Sequence, residues 1–195
     1  MYKFVKDTIE VVSENANDEI WGECTKIRIK ETGEELLVFK KPDRVEINSQ
    51  KGGSLRRAGM VVIWSDGTIV DFKVEDPYKG YGLGKYLFEK AITDYKGWHL
   101  DCNGTTAYKL YRKFDFVPVP RTWPAKGKEA ILAKMKSILE GEGWLGPVIR
   151  MVKKDRLSEF DLEWNEDLDR FTKYVDTHFH GAHDSGKYVF EKVSE

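Results

Sequence analysis

The stretch from Val70 to Tyr95, reading VDFKVEDPYKGYGLGKYLFEKAITDY, constrains this chain more than any other part of it. It joins a β-type run to a helix-patterned run through a loop with glycine at 80, 82 and 84. Glycine weakens a helix start, so glycines spaced this closely indicate that something must approach the backbone there. Backbone N–H groups at a helix N-terminus, with the positive end of the helix dipole behind them, suit a phosphate or pyrophosphate. Two common phosphate loops do not fit. A P-loop needs four residues between its glycines and then Lys-Ser/Thr, whereas Lys85 here is followed by Tyr86. A dinucleotide fingerprint needs Gly or Ala at 85 and a βαβ repeat, neither of which is present.

The flanking sequence supplies a sheet. Met60 to Trp64 and Thr68 to Val74 are β-branched and aromatic around Ser65-Asp66-Gly67, a hairpin that carries the glycine loop at its end. Cys24 to Lys30 and Glu34 to Lys40 form a second hairpin around Thr32-Gly33, ended by Pro42. Arg44 to Asn48 is a short strand, and Ser49 to Gly59 reads as a loop with a basic cluster at Lys51, Arg56 and Arg57. The first twenty or so residues follow neither period clearly.

Beyond the loop, Leu83, Leu87, Phe88, Ala91, Ile92 and Tyr95 keep helical spacing, with Gly97 at the expected C-cap. Trp98 to Cys102 is a strand, which a right-handed crossover would set parallel to the one ending at Val74. Asn103-Gly104-Thr105-Thr106 offers N-cap chemistry to a short helix bearing Ala107, Leu110, Tyr111 and Phe114. Phe116 to Val119 and Pro147 to Lys153 are strands flanking a helix over Ala130 to Leu139. Ser158 with Asp161 resembles a capping box opening a last helix through Phe160, Trp164, Leu168, Phe171 and Val175, and Lys187 to Val193 reads as a closing strand.

Charge and composition narrow the partners. Lys+Arg 32 against Asp+Glu 33 leaves a formal −1, so no global field draws in nucleic acid or an anionic membrane. Two cysteines, Cys24 and Cys102, are too few for a disulfide framework, which suits a reducing, cytoplasmic setting. The N-terminal MYKFVKDTIE has no apolar signal-peptide core, and no run approaches the length of a membrane span.

The glycine loop and the segment after it resemble a known family in order. Lys79-Gly80-Tyr81-Gly82-Leu83-Gly84, preceded by Phe72-Lys73-Val74 and followed by Leu87, resembles the acyl-CoA-binding motif Arg/Gln-x-x-Gly-x-Gly/Ala of the GNAT superfamily of N-acetyltransferases. Asn103, Ala107, Leu110, Tyr111, Phe114 and Phe116 resemble its Asn…Ala…Leu-Tyr…Gly-Phe segment, with Asp115 where glycine is usual. Lys79 replaces the usual Arg or Gln, keeping the charge but losing the planar fork.

The resemblance implies an α+β fold: a mixed, mostly antiparallel sheet of six or seven strands with helices on both faces. It implies a catalytic domain over 1–155, with a helical insertion at about 125–143, and an extension over 156–195. Acetyl-CoA would be the cosubstrate and an amine the acceptor. Lys79, Gly80 and the amides of Tyr81, Gly82, Leu83, Gly84 and Lys85 would take the pyrophosphate. The backbone of Phe72 and Val74 would pair with the pantetheine arm, in a gap where the strands holding Val74 and Trp98 splay, and Asn103 would bond that arm or cap a helix. Tyr111 would protonate the leaving thiolate, or else be an amphipathic helix residue.

No general base stands out. Strand alternation turns Asp71 and Glu75 away from the face shared by Phe72 and Val74. His178, His180 and His183 resemble part of a metallo-β-lactamase zinc motif, but Ala182 replaces its Asp, and a polar loop or an acceptor contact accounts for them as well. Two further readings stay open: a CoA-binding or protein-interaction module without catalysis, and an enzyme that modifies a nucleic-acid base, for which the Lys51/Arg56/Arg57 cluster and Trp64 are the motivation.

Overall fold

The computed structural model describes residues 8–122 and 127–181. The chain divides into two compact units, one ending at Gly97 and the other beginning at Trp98. The architecture is α+β, with nine strands and four α-helices among the described residues.

The first unit is a six-stranded antiparallel meander: β1 (Ile9–Asp18), β2 (Gly22–Ile29), β3 (Glu35–Lys41), β4 (Arg44–Lys51), β5 (Ser54–Ile63) and β6 (Thr68–Val74), each strand pairing with the next. Helix α1 (Leu83–Thr93) follows. The expected hairpins are present. Gly33 and Gly67 take positive φ at the two turns, and Asp66 Oδ1 accepts from Thr68 N at 2.8 Å. Ile27, Leu36, Ile47 and Val61 alternate inward and are fully buried.

The strand count is corrected: among the described residues there are nine strands, six in this unit and three in the other, not six or seven. Strand β1 escapes the hydrophobic pattern because most of its residues face solvent, as an edge strand permits. The stretch read as a loop from Ser49 to Gly59 is strand on both sides of a turn at Gly52-Gly53, both at positive φ, so Arg56 and Arg57 belong to β5. Gly97 is not the C-cap either. Lys96 takes the left-handed conformation, and Gly97 lies where a Cβ would sit 2.9 Å from Ile69 Cγ1 and 3.1 Å from the Ala91 carbonyl.

The second unit orders its strands β7–β9–β8: β7 (His99–Cys102), β8 (Phe116–Val119) and β9 (Ile149–Lys153), with both pairings antiparallel. Helix α2 (Thr105–Arg112) joins β7 to β8, and α3 (Lys128–Leu139) falls between β8 and β9, where a helical insertion was expected. The proposed capping box at Ser158 does not start a helix. Lys154–Phe160 is a 3₁₀ turn, and α4 (Glu166–His178) starts at Asn165, whose Oδ1 accepts from Leu168 N at 2.9 Å. Leu168, Phe171 and Val175 do form the buried stripe of α4, but Phe160 and Trp164 precede it. The expected strand over 187–193 lies outside the described residues. Among the described residues no helix is long and apolar enough to cross a membrane.

Gly97→Ala should lower unfolding stability by about 1–3 kcal/mol, because the added methyl overlaps Ile69 and the α1 backbone. Chemical denaturation monitored by circular dichroism checks this.

Candidate functional site

Helix α1 packs on β5 and β6, most closely at Gly59 among the glycines of this packing. A Cβ at Gly59 would lie 2.9 Å from Leu87 Cδ1, and one at Gly84 would lie 3.5 Å from the Phe72 ring and 3.6 Å from Val74 Cγ2. The half-buried side chains of Phe72 and Val74 therefore back the helix start, and Phe72 meets Phe88 edge to face at 5.8 Å. Their backbones pair with Val61 and Gly59 of β5. Just upstream, pairing steps from Ile63↔Ile69 to Val62↔Asp71, which leaves Val70 as the extra residue of a bulge.

The loop leaves β6 through a 3₁₀ turn, Asp76–Tyr78, pinned by the buried Tyr78, whose hydroxyl donates to Glu34 Oε1 at 3.1 Å. Gly80 and Gly82 both take positive φ, +89° and +85°, so the turn requires glycine at these two positions. Leu83, with no exposed surface, then seats the helix. The first hydrogen bond closing α1 runs from Tyr86 N to the Gly82 carbonyl at 3.1 Å, so the amides of Leu83, Gly84 and Lys85 lie ahead of the first intrahelical donor.

The cradle is not uniformly open. A Cβ at Gly80 would meet nothing within 4 Å, whereas one at Gly82 would strike the Thr8 hydroxyl, because Thr8, directly ahead of β1, lies over it. Gly84, by its contacts, serves helix–strand packing. Tyr81 is half-buried beside it. Lys79 is exposed and ion-paired with Asp76, which that ammonium holds below the usual carboxylate range. Such a pair at the surface is weak and easily exchanged for an anionic ligand.

The remaining predicted residues belong to the second unit. Asn103 is exposed at the end of β7, and it does not cap α2: the N-cap is Gly104, with no side-chain capping bond. Gly181, beyond α4, lies against this turn so closely that a Cβ there would sit 2.6 Å from the Asn103 carbonyl, and Gly181 N donates to Thr105 Oγ1 at 3.5 Å. Tyr111 is 4% exposed, 6.5 Å from the Phe116 ring, and burial pushes its phenol up, with Cys102 adding to the effect. Asp115, standing where the resemblance expects glycine, takes the left-handed conformation at φ +61°.

Sequence reasoning missed Tyr108 and Asp176. The Tyr108 hydroxyl donates to Asp176 Oδ1 at 2.6 Å, and Arg112 grips the same carboxylate at 2.9 and 3.2 Å, which docks α4 on α2. Burial and then Asp176 push the Tyr108 phenol up. No spacing signal links residues this far apart in the chain.

Of the histidines, His178 stacks on Tyr174 at 4.2 Å and donates from Nδ1 to its carbonyl at 2.8 Å, while His183 lies outside the described residues. Among the described residues no three His, Cys, Asp or Glu side chains are grouped to hold a metal. Glu75 is taken by Lys73 at 3.0 Å.

No family model matches this chain, and no curated protein matches it.

Burial raises the Tyr86 phenol to about 12 from its ordinary 10. The folded state then keeps a proton that the unfolded chain loses, so stability should be intact below pH 10 and fall as pH rises from 10 to 12. Tyr86→Phe should flatten that part of the profile in denaturant titrations at stepped pH.

Proposed function

We propose that this chain is an acyl-CoA-dependent N-acyltransferase of the GNAT type, moving an acetyl group to an amine. The observation that carries the reading is the loop at Gly80 and Gly82: left-handed glycines running straight into a helix start, beside an open space at Gly80. A diphosphate suits that chemistry, because it needs several N–H donors converging without intervening side chains. With Thr8 against Gly82, the pyrophosphate belongs on the Gly80–Tyr81 side of the loop. Lys79 can leave Asp76 to add a charge. The main chain at Phe72 and Val74 would pair with the amides of the pantetheine arm. Asn103, exposed at the end of β7, is the cofactor contact that the resemblance assigns in the second unit.

The cosubstrate supplies an activated thioester, and the acceptor supplies a neutral amine for direct attack. Tyr111 is the candidate acid for the departing thiolate. Burial keeps its proton in place at neutral pH but also makes it a reluctant donor, because a thiol near 8.5 is the stronger acid. Its catalytic contribution therefore sits at the low end for general acids.

Two measurements test the proposal. Purified protein with acetyl-CoA and a panel of amines should release free thiol, and mass spectrometry should show the acetylated amine. Coenzyme A binding without thiol release for any acceptor would favour the non-catalytic module. Gly80→Asp should fold, since its Cβ meets open space and Asp tolerates left-handed backbone, yet it should weaken coenzyme A at least about tenfold by setting a carboxylate beside the pyrophosphate. Tyr111→Phe should lower kcat by about 10² with little change in the KM for acetyl-CoA, and an unaltered kcat removes the acid role.

A further inference from the structure

The second unit contains a groove of about 970 Å³, large enough for a drug-sized ligand, and no residue considered so far as catalytic or cofactor-binding lines it. Three kinds of chemistry converge there. Trp144 is 76% exposed on a loop that is firmly anchored: Glu142 and Gly143 both donate to the Ser137 carbonyl, at 2.9 and 3.0 Å, and a Cβ at Gly143 would lie 2.9 Å from Ile138 N. A large indole held in place by a packed loop offers a flat, exposed face on which an aromatic ligand can stack. Phe160, on the same lining, already carries the Arg150 guanidinium 5.7 Å from its ring centre.

The charge is uneven in a useful way. Arg121 and Arg150 share a single carboxylate, Asp101, at 3.3 and 3.2 Å, so two guanidiniums are oriented by one counter-charge. Lys134 donates to the Arg121 carbonyl at 2.7 Å and fixes that backbone. A phosphate would complete the pairing of the two forks. Of the lining carboxylates, Glu159 is already paired with Arg156 at 2.9 Å. Asp161 caps the 3₁₀ turn in left-handed backbone at φ +55°, and its carboxylate can accept N–H groups.

We infer that this groove binds a nucleoside monophosphate: the base on Trp144, its amino or imino N–H groups toward Asp161, and the phosphate on Arg121 and Arg150. The site does not depend on the acyl-transfer reading.

The test is isothermal titration of the full chain with CMP and GMP at about 20 mM salt, with phenyl phosphate and inorganic phosphate as comparison probes. Saturable nucleotide binding should weaken about tenfold in Trp144→Ala and at least as much in Arg121→Gln, and should fall as salt rises to about 200 mM. Coenzyme A affinity should be unchanged in Trp144→Ala, so that loss of the groove and loss of the loop are told apart. No nucleotide binding below about 1 mM overturns the inference. So does binding that both variants leave untouched, or binding in which inorganic phosphate or phenyl phosphate matches the nucleotides. Both substitutions are at well-exposed side chains, and circular dichroism of each variant should match the parent.

Discussion

The closeness of helix α1 to strands β5 and β6 governs the first unit. At Gly59 even a methyl would overlap Leu87 of α1, while a Cβ at Gly84 would make ordinary contact with Phe72 and Val74. Between the end of β6 and α1 the chain passes through the 3₁₀ turn Asp76–Tyr78 and then enters the helix through left-handed backbone, which Gly80 and Gly82 provide. Tyr78 on one side and Leu83 on the other bury themselves and hold the turn from both ends. The amides at the helix start are thus presented by packing on both sides of the turn.

The second unit is held by a different device. There a partly exposed carboxylate, Asp176, is gripped by Tyr108 and Arg112, so α4 is tied to α2 by hydrogen bonds, while its buried Phe171 and Val175 face the core of the unit. Bonds to a charged acceptor are the stronger kind, on the order of 1.5–3 kcal/mol each when well shielded and less where water reaches them. The chain beyond α4 then crosses Asn103 and Gly104 at backbone distance, which only glycine at 181 allows. Thr8 does the equivalent at Gly82 in the first unit. Each of these two positions, both expected to touch a cofactor, therefore has a neighbour supplied by sequence far away.

Local pattern sufficed wherever an element is stabilised by its own neighbours. Glycine turns at 33 and 67, the apolar stripe of α1, the insertion helix and the strands from Phe116 and Ile149 are all visible as spacing, because turn chemistry and one-sided burial act over a few residues. It failed for β1, for the β4–β5 extension carrying Arg56 and Arg57, and for the start of α4. In the first two the outward faces are polar, so strand and loop have the same composition. At α4, Ser158 offered a plausible cap, but the residues after it form a 3₁₀ turn and Asn165 caps instead.

What the sequence determined alone was the kind of backbone at the loop: three alternating glycines ahead of a helical stripe admit little besides a bare main-chain turn feeding a helix start. What only the tertiary structure decided was the use of each glycine. Gly80 stands open, Gly82 is occupied by Thr8, and Gly84 packs on Phe72 and Val74. The groove around Trp144, Arg121 and Arg150 was likewise illegible, because its parts come from separated elements with no shared period. Periodicity records which side of an element faces inward, whereas a site depends on which elements meet, and that is settled by packing between residues distant in the chain.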